Sequence, residues 1–259
     1  MSAQSHNLAT YPSLKDKRVF ITGGGTGIGE NLVESFCLQG ACVTFVDIAH
    51  DKSEALVERL SQTSAYAPVY EHCDIRDTQA LAEVIRQAGE RSGDISILIN
   101  NAADDARHEF EDVTAEYWDA NMAINLRPAF FASQAVVSQM RRVGGGAIIN
   151  MGSASWHLKQ PFMPAYTTAK AAIEGLTRSL AGRLGQERIR VNTLMPGWVM
   201  TEKQQRRWLN PDIVEDVKQS QCIHENLMPQ DVANAALFLA ADDSRMMTAQ
   251  TLVIDAGWI

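Results

Sequence analysis

Short apolar, β-branched runs recur along the chain at Arg18–Thr22, Cys42–Asp47, Val69–Cys73, Ile95–Ile99, Ala147–Met151, Arg190–Leu194 and Thr251–Ile254. Runs of this length without strict alternation suit strands buried on both faces. Between them, Ile28–Gln39, Lys52–Gln62, Thr78–Arg91, Ala115–Arg142 and Pro164–Leu184 place apolar residues three and four apart, as does Gln230–Ala241 before the last strand. That spacing lines one face of a helix. Gly40, Gly93 and Gly144 follow where helices should stop. Seven strands alternating with helices predict an α/β fold: one doubly wound domain over residues 1–259, a seven-stranded parallel sheet with helices on both faces. The polar stretch at about 198–228 is the long interruption between a strand and the next helix, and we expect it to cover a ligand as a lid.

The chain has 259 residues, 46% hydrophobic and 21% charged, enough to bury a sizeable core and too apolar for disorder. Its 23 basic and 31 acidic residues give a net charge of −8, a field that repels nucleic acid and anionic lipid. No apolar run is long enough to span a membrane. Met1–Arg18 shows no apolar run ahead of a small-residue cleavage site, so the expected location is the cytoplasm. Cys37, Cys42, Cys73 and Cys222 form no C-x-x-C pair and the histidines no H-E-x-x-H, so no metal site is expected and the thiols should be reduced.

The first strand runs into Thr22-Gly23-Gly24-Gly25-Thr26-Gly27-Ile28-Gly29 and then a helix. Glycines allow a tight turn and close approach to a pyrophosphate, and the helix N-terminus offers free N–H groups to that anion. Asp47 closes the second strand 18 residues after Gly29. A carboxylate there can accept from both ribose hydroxyls and would repel a 2′-phosphate, which favours NAD over NADP; capping the next helix is a compatible second use. Asp74 and Ile75 follow the third strand, where an aspartate can accept from an adenine amino group, and Asn101 and Ala102 follow the fourth.

Tyr166 and Lys170 are four residues apart on one predicted helix and share a face. A tyrosine is a poor base near neutrality unless a cation stabilises its phenolate, and Lys170 can supply that charge. Ser153, just past the fifth strand, can hold a substrate oxygen.

These motifs together resemble the short-chain dehydrogenase/reductase family, over nearly the whole chain. Asn100-Asn101-Ala102, Asn125 and Pro196-Gly197 belong to the same resemblance, while Ala103 stands where the family commonly has glycine. The resemblance implies a Rossmann domain, with Tyr166 as catalytic acid/base and Ser153 orienting the substrate. It further implies that Asn125 holds a water in a proton relay through Lys170, that Val199 and Thr201 contact the nicotinamide carboxamide, and that the protein is a homotetramer. Gly152-Ser153-Ala154-Ser155-Trp156-His157-Leu158, Arg107-His108, Tyr11-Pro12-Ser13-Leu14-Lys15 and Asp255-Ala256-Gly257-Trp258 resemble, more narrowly, the bacterial NAD-dependent D-xylose (aldose) 1-dehydrogenases. That implies a small-molecule sugar substrate oxidised at C1 to a lactone. Trp156, Trp198 and Trp208, with His157, Gln204 and Gln205, are then candidates to line the sugar pocket, and Ser155, His157 and Trp198 to touch the substrate; packing of the lid is the other reading of these tryptophans. The alternatives are a dehydrogenase of a sugar acid or another polar alcohol, a 3-oxoacyl reductase with the same catalytic group, and an NAD-binding sensor without chemistry.

Overall fold

All seven expected strands form: Arg18–Thr22 (β1), Cys42–Asp47 (β2), Val69–His72 (β3), Ile97–Asn100 (β4), Gly146–Met151 (β5), Ile189–Pro196 (β6) and Thr251–Ile254 (β7). In the computed structural model they make one parallel sheet in the order β3-β2-β1-β4-β5-β6-β7. The structure describes residues 9–208 and 211–259, apart from the side chains of 207, 208 and 211–213. The expected absence of a leader in Met1–Arg18 therefore falls partly outside the described residues.

The period of two along each strand divides the core between the faces of the sheet. Val19, Ile21, Ile97, Ile99 and Ile149 pack with Leu32, Val33 and Phe36 of Gly27–Leu38 (α1), Leu56 and Leu60 of His50–Ser61 (α2), and a C-terminal helix described below. Phe20, Leu98, Ile148 and Val191 point the other way. They meet Leu81 and Ile85 of Thr78–Ser92 (α3) and, from later helices, Val136, Met140 and Leu184.

The single helix expected at Ala115–Arg142 is two, Ala115–Asn125 (α4) and Arg127–Arg142 (α5), separated by Leu126 at φ −132° and ψ −55°. Pro128 explains the break. It has no N–H for the carbonyl one turn back and its ring clashes there, so it is tolerated only in a first turn. Strand β4 starts two residues later than expected, because the Ile95 N–H is taken by the Gln139 side chain (2.9 Å) instead of a neighbouring strand. Helix α6 spans Pro164–Leu184 as expected.

The stretch after β6 holds two helices, Glu202–Trp208 (α7) and Pro211–Ser220 (α8), before Pro229–Ala240 (α9), the C-terminal helix of the first core face. A parallel bridge between Val199 and Leu227, with Met200 N donating to Leu227 O (2.8 Å), clips the two ends of this insertion together. Among the described residues no helix is long and apolar enough to cross a membrane.

Candidate active site

A cleft of about 1210 Å³ lies at the carboxyl ends of β1, β2, β4, β5 and β6, at the place where the strand order reverses and open α/β sheets bind ligands. Gly23, Thr26, Gly27, Ile28 and Gly29 form one wall. A Cβ on Gly29 would sit 1.7 Å from the Gly23 carbonyl oxygen, and one on Gly23, at φ +68°, would sit 2.7 Å from Ala102 Cα. Only glycine lets the turn and helix close this tightly. Thr26 caps α1 without a side-chain hydrogen bond, so the first-turn amides remain for an anion.

Asn101 and Ala102 secure the turn. Their N–H groups donate to Thr22 Oγ1 (3.0 and 3.1 Å), and Asn101 Nδ2 donates to the carbonyls of Thr22 and Gly23 (3.1 and 2.8 Å). The Asn101 side chain is thus committed to the protein, although the residue borders the cleft. Asp47 also borders it; one carboxylate oxygen accepts from Gly25 N and the other from Ala49 N, both at 2.8 Å. Each oxygen keeps a lone pair for a hydroxyl donor. Gly25 stands behind that carboxylate, where a Cβ would meet Ser53 Oγ at 2.3 Å. Asp74 and Ile75 complete this end, and the Arg76 guanidinium beside Asp74 holds its carboxyl below the usual range. A turn without room for a Cβ, uncapped helix amides and a carboxylate at the end of β2 fit a dinucleotide.

At the other end Ser153 and Tyr166 face the cleft. Ser153 begins the short turn Ala154–Trp156; its oxygen accepts from Ser155 N (3.2 Å) and its hydroxyl donates to Ser155 Oγ (3.0 Å). Tyr166 is 9% exposed and Lys170 3%, one turn deeper in α6. Lys170 Nζ donates to the Met151 carbonyl (2.8 Å) and lies 5.7 Å from the Tyr166 ring centre. Burial raises the Tyr166 pKa, the Asp105 carboxylate raises it further, and the Ser153 hydroxyl works against both. Burial also lowers Lys170 to about 8. Each charge alone is penalised by desolvation, so a phenolate and an ammonium here are best formed together.

Asn125 does not reach the cleft. Its Oδ1 accepts from Asp104 N (2.9 Å), and its Nδ2 donates to Asp104 O (3.0 Å) and Asn121 Oδ1 (3.1 Å), which fixes the segment after β4. Pro196, Gly197, Trp198, Val199 and Thr201, from the end of β6 and the stretch after it, also line the cleft, as does Ser155 beside Ser153. His157 does not border the cleft as expected. Its ring lies on Trp156, centroids 3.6 Å apart, and neither residue faces the ligand space. Gln204 borders the cleft and Gln205 does not, while the Trp208 side chain lies outside the described residues.

Sequence reasoning missed one network. Lys203 on α7 pairs with Asp104 (3.1 Å) and Asp105; Gln204 Nε2 donates to Asp105, and Trp198 Nε1 donates to Gln204 Oε1 (3.0 Å). This joins the segment after β4 to the insertion after β6. For Asp105, the hydrogen bond and charge of Lys203 outweigh burial and keep the carboxyl below its usual pKa. The partners are about a hundred residues apart in sequence; the paired acids after β4 were the available signal.

A family model described as enoyl-(acyl carrier protein) reductase matches residues 23–259. The chain is 46% identical over 250 residues to a D-xylose 1-dehydrogenase of Caulobacter vibrioides, covering 96% of this chain and 98% of that one. It is 45% identical over 247 residues to a probable galactose dehydrogenase of Rhizobium meliloti, covering 95% and 96%. Among solved structures, a double mutant of a Serratia marcescens short-chain dehydrogenase/reductase superposes with a TM-score of 0.88 at 30% identity, covering 95% of this chain and 99% of that one. A 3-oxoacyl-[acyl-carrier protein] reductase of Brucella melitensis gives 0.89 at 26%, covering 96% and 94%. With a glycine turn, a buried Tyr-x-x-x-Lys pair and a serine around one cleft, the chain belongs to the short-chain dehydrogenase/reductase family of oxidoreductases.

Proposed function

We propose that the protein is an NAD-dependent dehydrogenase that oxidises the C1 hydroxyl of an aldose such as D-xylose, L-arabinose or a related sugar to the lactone. The observation that carries this reading is the meeting of Ser153 and Tyr166, backed by Lys170, with the glycine turn and Asp47 in one cleft. The two relatives of 45–46% identity, whose names specify xylose and galactose, support the choice of sugar. When bound, the nicotinamide supplies the hydride acceptor. Ser153 Oγ holds the substrate oxygen, and Tyr166 Oη takes the hydroxyl proton. Lys170, fixed by the Met151 carbonyl, stabilises the phenolate as an ammonium and gives one of its own protons to a relay water, and so to solvent, as it takes up the one from Tyr166. Asn125 spends its side chain on Asp104, so a relay water falls to its main-chain carbonyl. That carbonyl stands at the break after α4, where the Ala129 N–H donates to Leu126 O (3.2 Å).

Asp47 supports NAD and argues against the 3-oxoacyl reductase reading, since a carboxylate repels the 2′-phosphate of NADP. The exposed rings of Trp118, Phe130 and Phe131 are surfaces that a homotetramer would cover; an eluted mass of one chain by light scattering would count against it.

The test follows NADH absorbance with NAD or NADP across aldoses, sugar acids, polyols and simple alcohols, with product identification. Turnover of one aldose with lactone formed is the expected result. Turnover of another alcohol class with all aldoses inert overturns the sugar assignment and keeps the catalytic group.

A further inference from the structure

The Arg107-His108 pair singled out in the sequence has no part in the chemistry above, yet His108 meets the helix that carries Tyr166. Met163, the residue before α6, gives that helix no side-chain cap, which leaves first-turn N–H groups to be satisfied from elsewhere. One of them is met from the segment between β4 and α4. Ala165 N, directly before Tyr166, donates to His108 Nε2 (3.3 Å), and His108 N donates to the Phe162 carbonyl (2.8 Å).

These contacts select one state of the imidazole. A ring nitrogen that accepts from a backbone N–H carries no proton, so in neutral His108 the proton is on Nδ1. That nitrogen lies 2.8 Å from Tyr117 Oη and 3.2 Å from the Ala106 carbonyl, both able to accept. The Tyr117 ring, from α4, packs on the imidazole with centroids 4.8 Å apart. The ring is therefore held from α4, from its own segment and from the start of α6.

We propose that His108 is a positioning residue for the reaction: through the Ala165 N–H it fixes the first turn of α6 and so the placement of Tyr166 Oη in the cleft. The inference rests on Tyr166 being the acid/base of the proposed function. A proton-transfer group displaced by a fraction of an ångström loses rate while ground-state binding is kept. Histidine suits the task because it brings an acceptor to a helix N-terminus on a flat ring that α4 can brace.

The test compares His108→Phe, His108→Gln, Tyr117→Phe and Tyr166→Phe in steady-state kinetics with the substrate found by the panel, and in NADH titrations followed by fluorescence. His108→Phe keeps a ring and removes the acceptor; kcat is expected to fall about ten- to a hundredfold, with the NADH Kd and substrate KM within about twofold. His108→Gln, whose amide oxygen can accept from Ala165 N, is expected to recover most of the loss. Wild-type kcat in His108→Phe, no recovery in His108→Gln, or an equal loss of NADH affinity would each overturn the positioning role. If His108→Phe does not fold, Tyr117→Phe decides: a smaller drop in kcat at unchanged KM is expected, and no drop overturns the proposal. An active Tyr166→Phe enzyme overturns the acid/base assignment itself, a result separable from every other.

Discussion

Lys170→Met isolates the cost of the buried ammonium. Burial lowers the lysine from its ordinary 10.5 to about 8. At about 1.4 kcal/mol per tenfold change, that gap means the folded state bears about 3 kcal/mol for carrying this proton. The sign follows from proton counts: between about 8 and 10.5 the unfolded chain binds the proton and the folded protein does not, so stability rises with pH there. Below about 8 both states are protonated and the full cost is present. The Met151 carbonyl also loses its donor in the variant, but that loss is nearly constant with pH and cancels from the slope. The assay is urea unfolding of both proteins at a series of pH values. The wild-type stability minus that of Lys170→Met should climb by about 2 kcal/mol from about pH 7 to about pH 9.5. A difference flat to within about 0.5 kcal/mol would show that Lys170 keeps an ordinary pKa and that its burial is relieved by solvent.

Tyr166→Phe should lower kcat by orders of magnitude and leave the NADH dissociation constant within about threefold; steady-state turnover near wild type would remove Tyr166 as the proton acceptor. For Asp47→Ala, the ratio of kcat/KM with NAD to that with NADP should fall by about tenfold or more, and an unchanged ratio would mean the ribose hydroxyls are read elsewhere. Asp105→Asn removes a carboxylate whose charge raises the Tyr166 pKa, so the rising limb of kcat/KM against pH should move to lower pH; a shift upward or none refutes the coupling.

The sheet was legible because burial on both faces writes itself into short apolar runs, and β1, β2 and β7 begin and end where those runs do. The ends of β4 and β6 differ because strand limits depend on hydrogen-bond partners: Gln139 takes the Ile95 N–H, and it lies 44 residues further along. Pro128 was a visible signal for the break in the long helix, overridden by continuous apolar spacing through Leu126. Glycine spacing, Asp47 and Tyr-x-x-x-Lys stood out because a tight turn and the proposed proton chemistry call for those residue types, and the fold brings Gly23, Asp47 and Tyr166 to one cleft. The direction of a side chain in a turn is not written in that way. His157 stacks on Trp156 instead of entering the cleft, and the bridge from Asp105 to Lys203 joins segments that only the tertiary fold brings together.

Ser153 stands in the turn just after β5, and Tyr166 and Lys170 stand on α6; the interior faces of β5 and α6 are locked into the sheet packing. The groups across the mouth come from the segment after β4 and from the clipped insertion after β6. Mutational drift can therefore remodel that insertion and the opposing loop while Ser153, Tyr166 and Lys170 stay under the strict selection of the core. Enzymes built this way can diverge in what they accept long before they lose what they do, and gene duplicates of such a chain would be expected to differ first at residues 104–105 and 198–228.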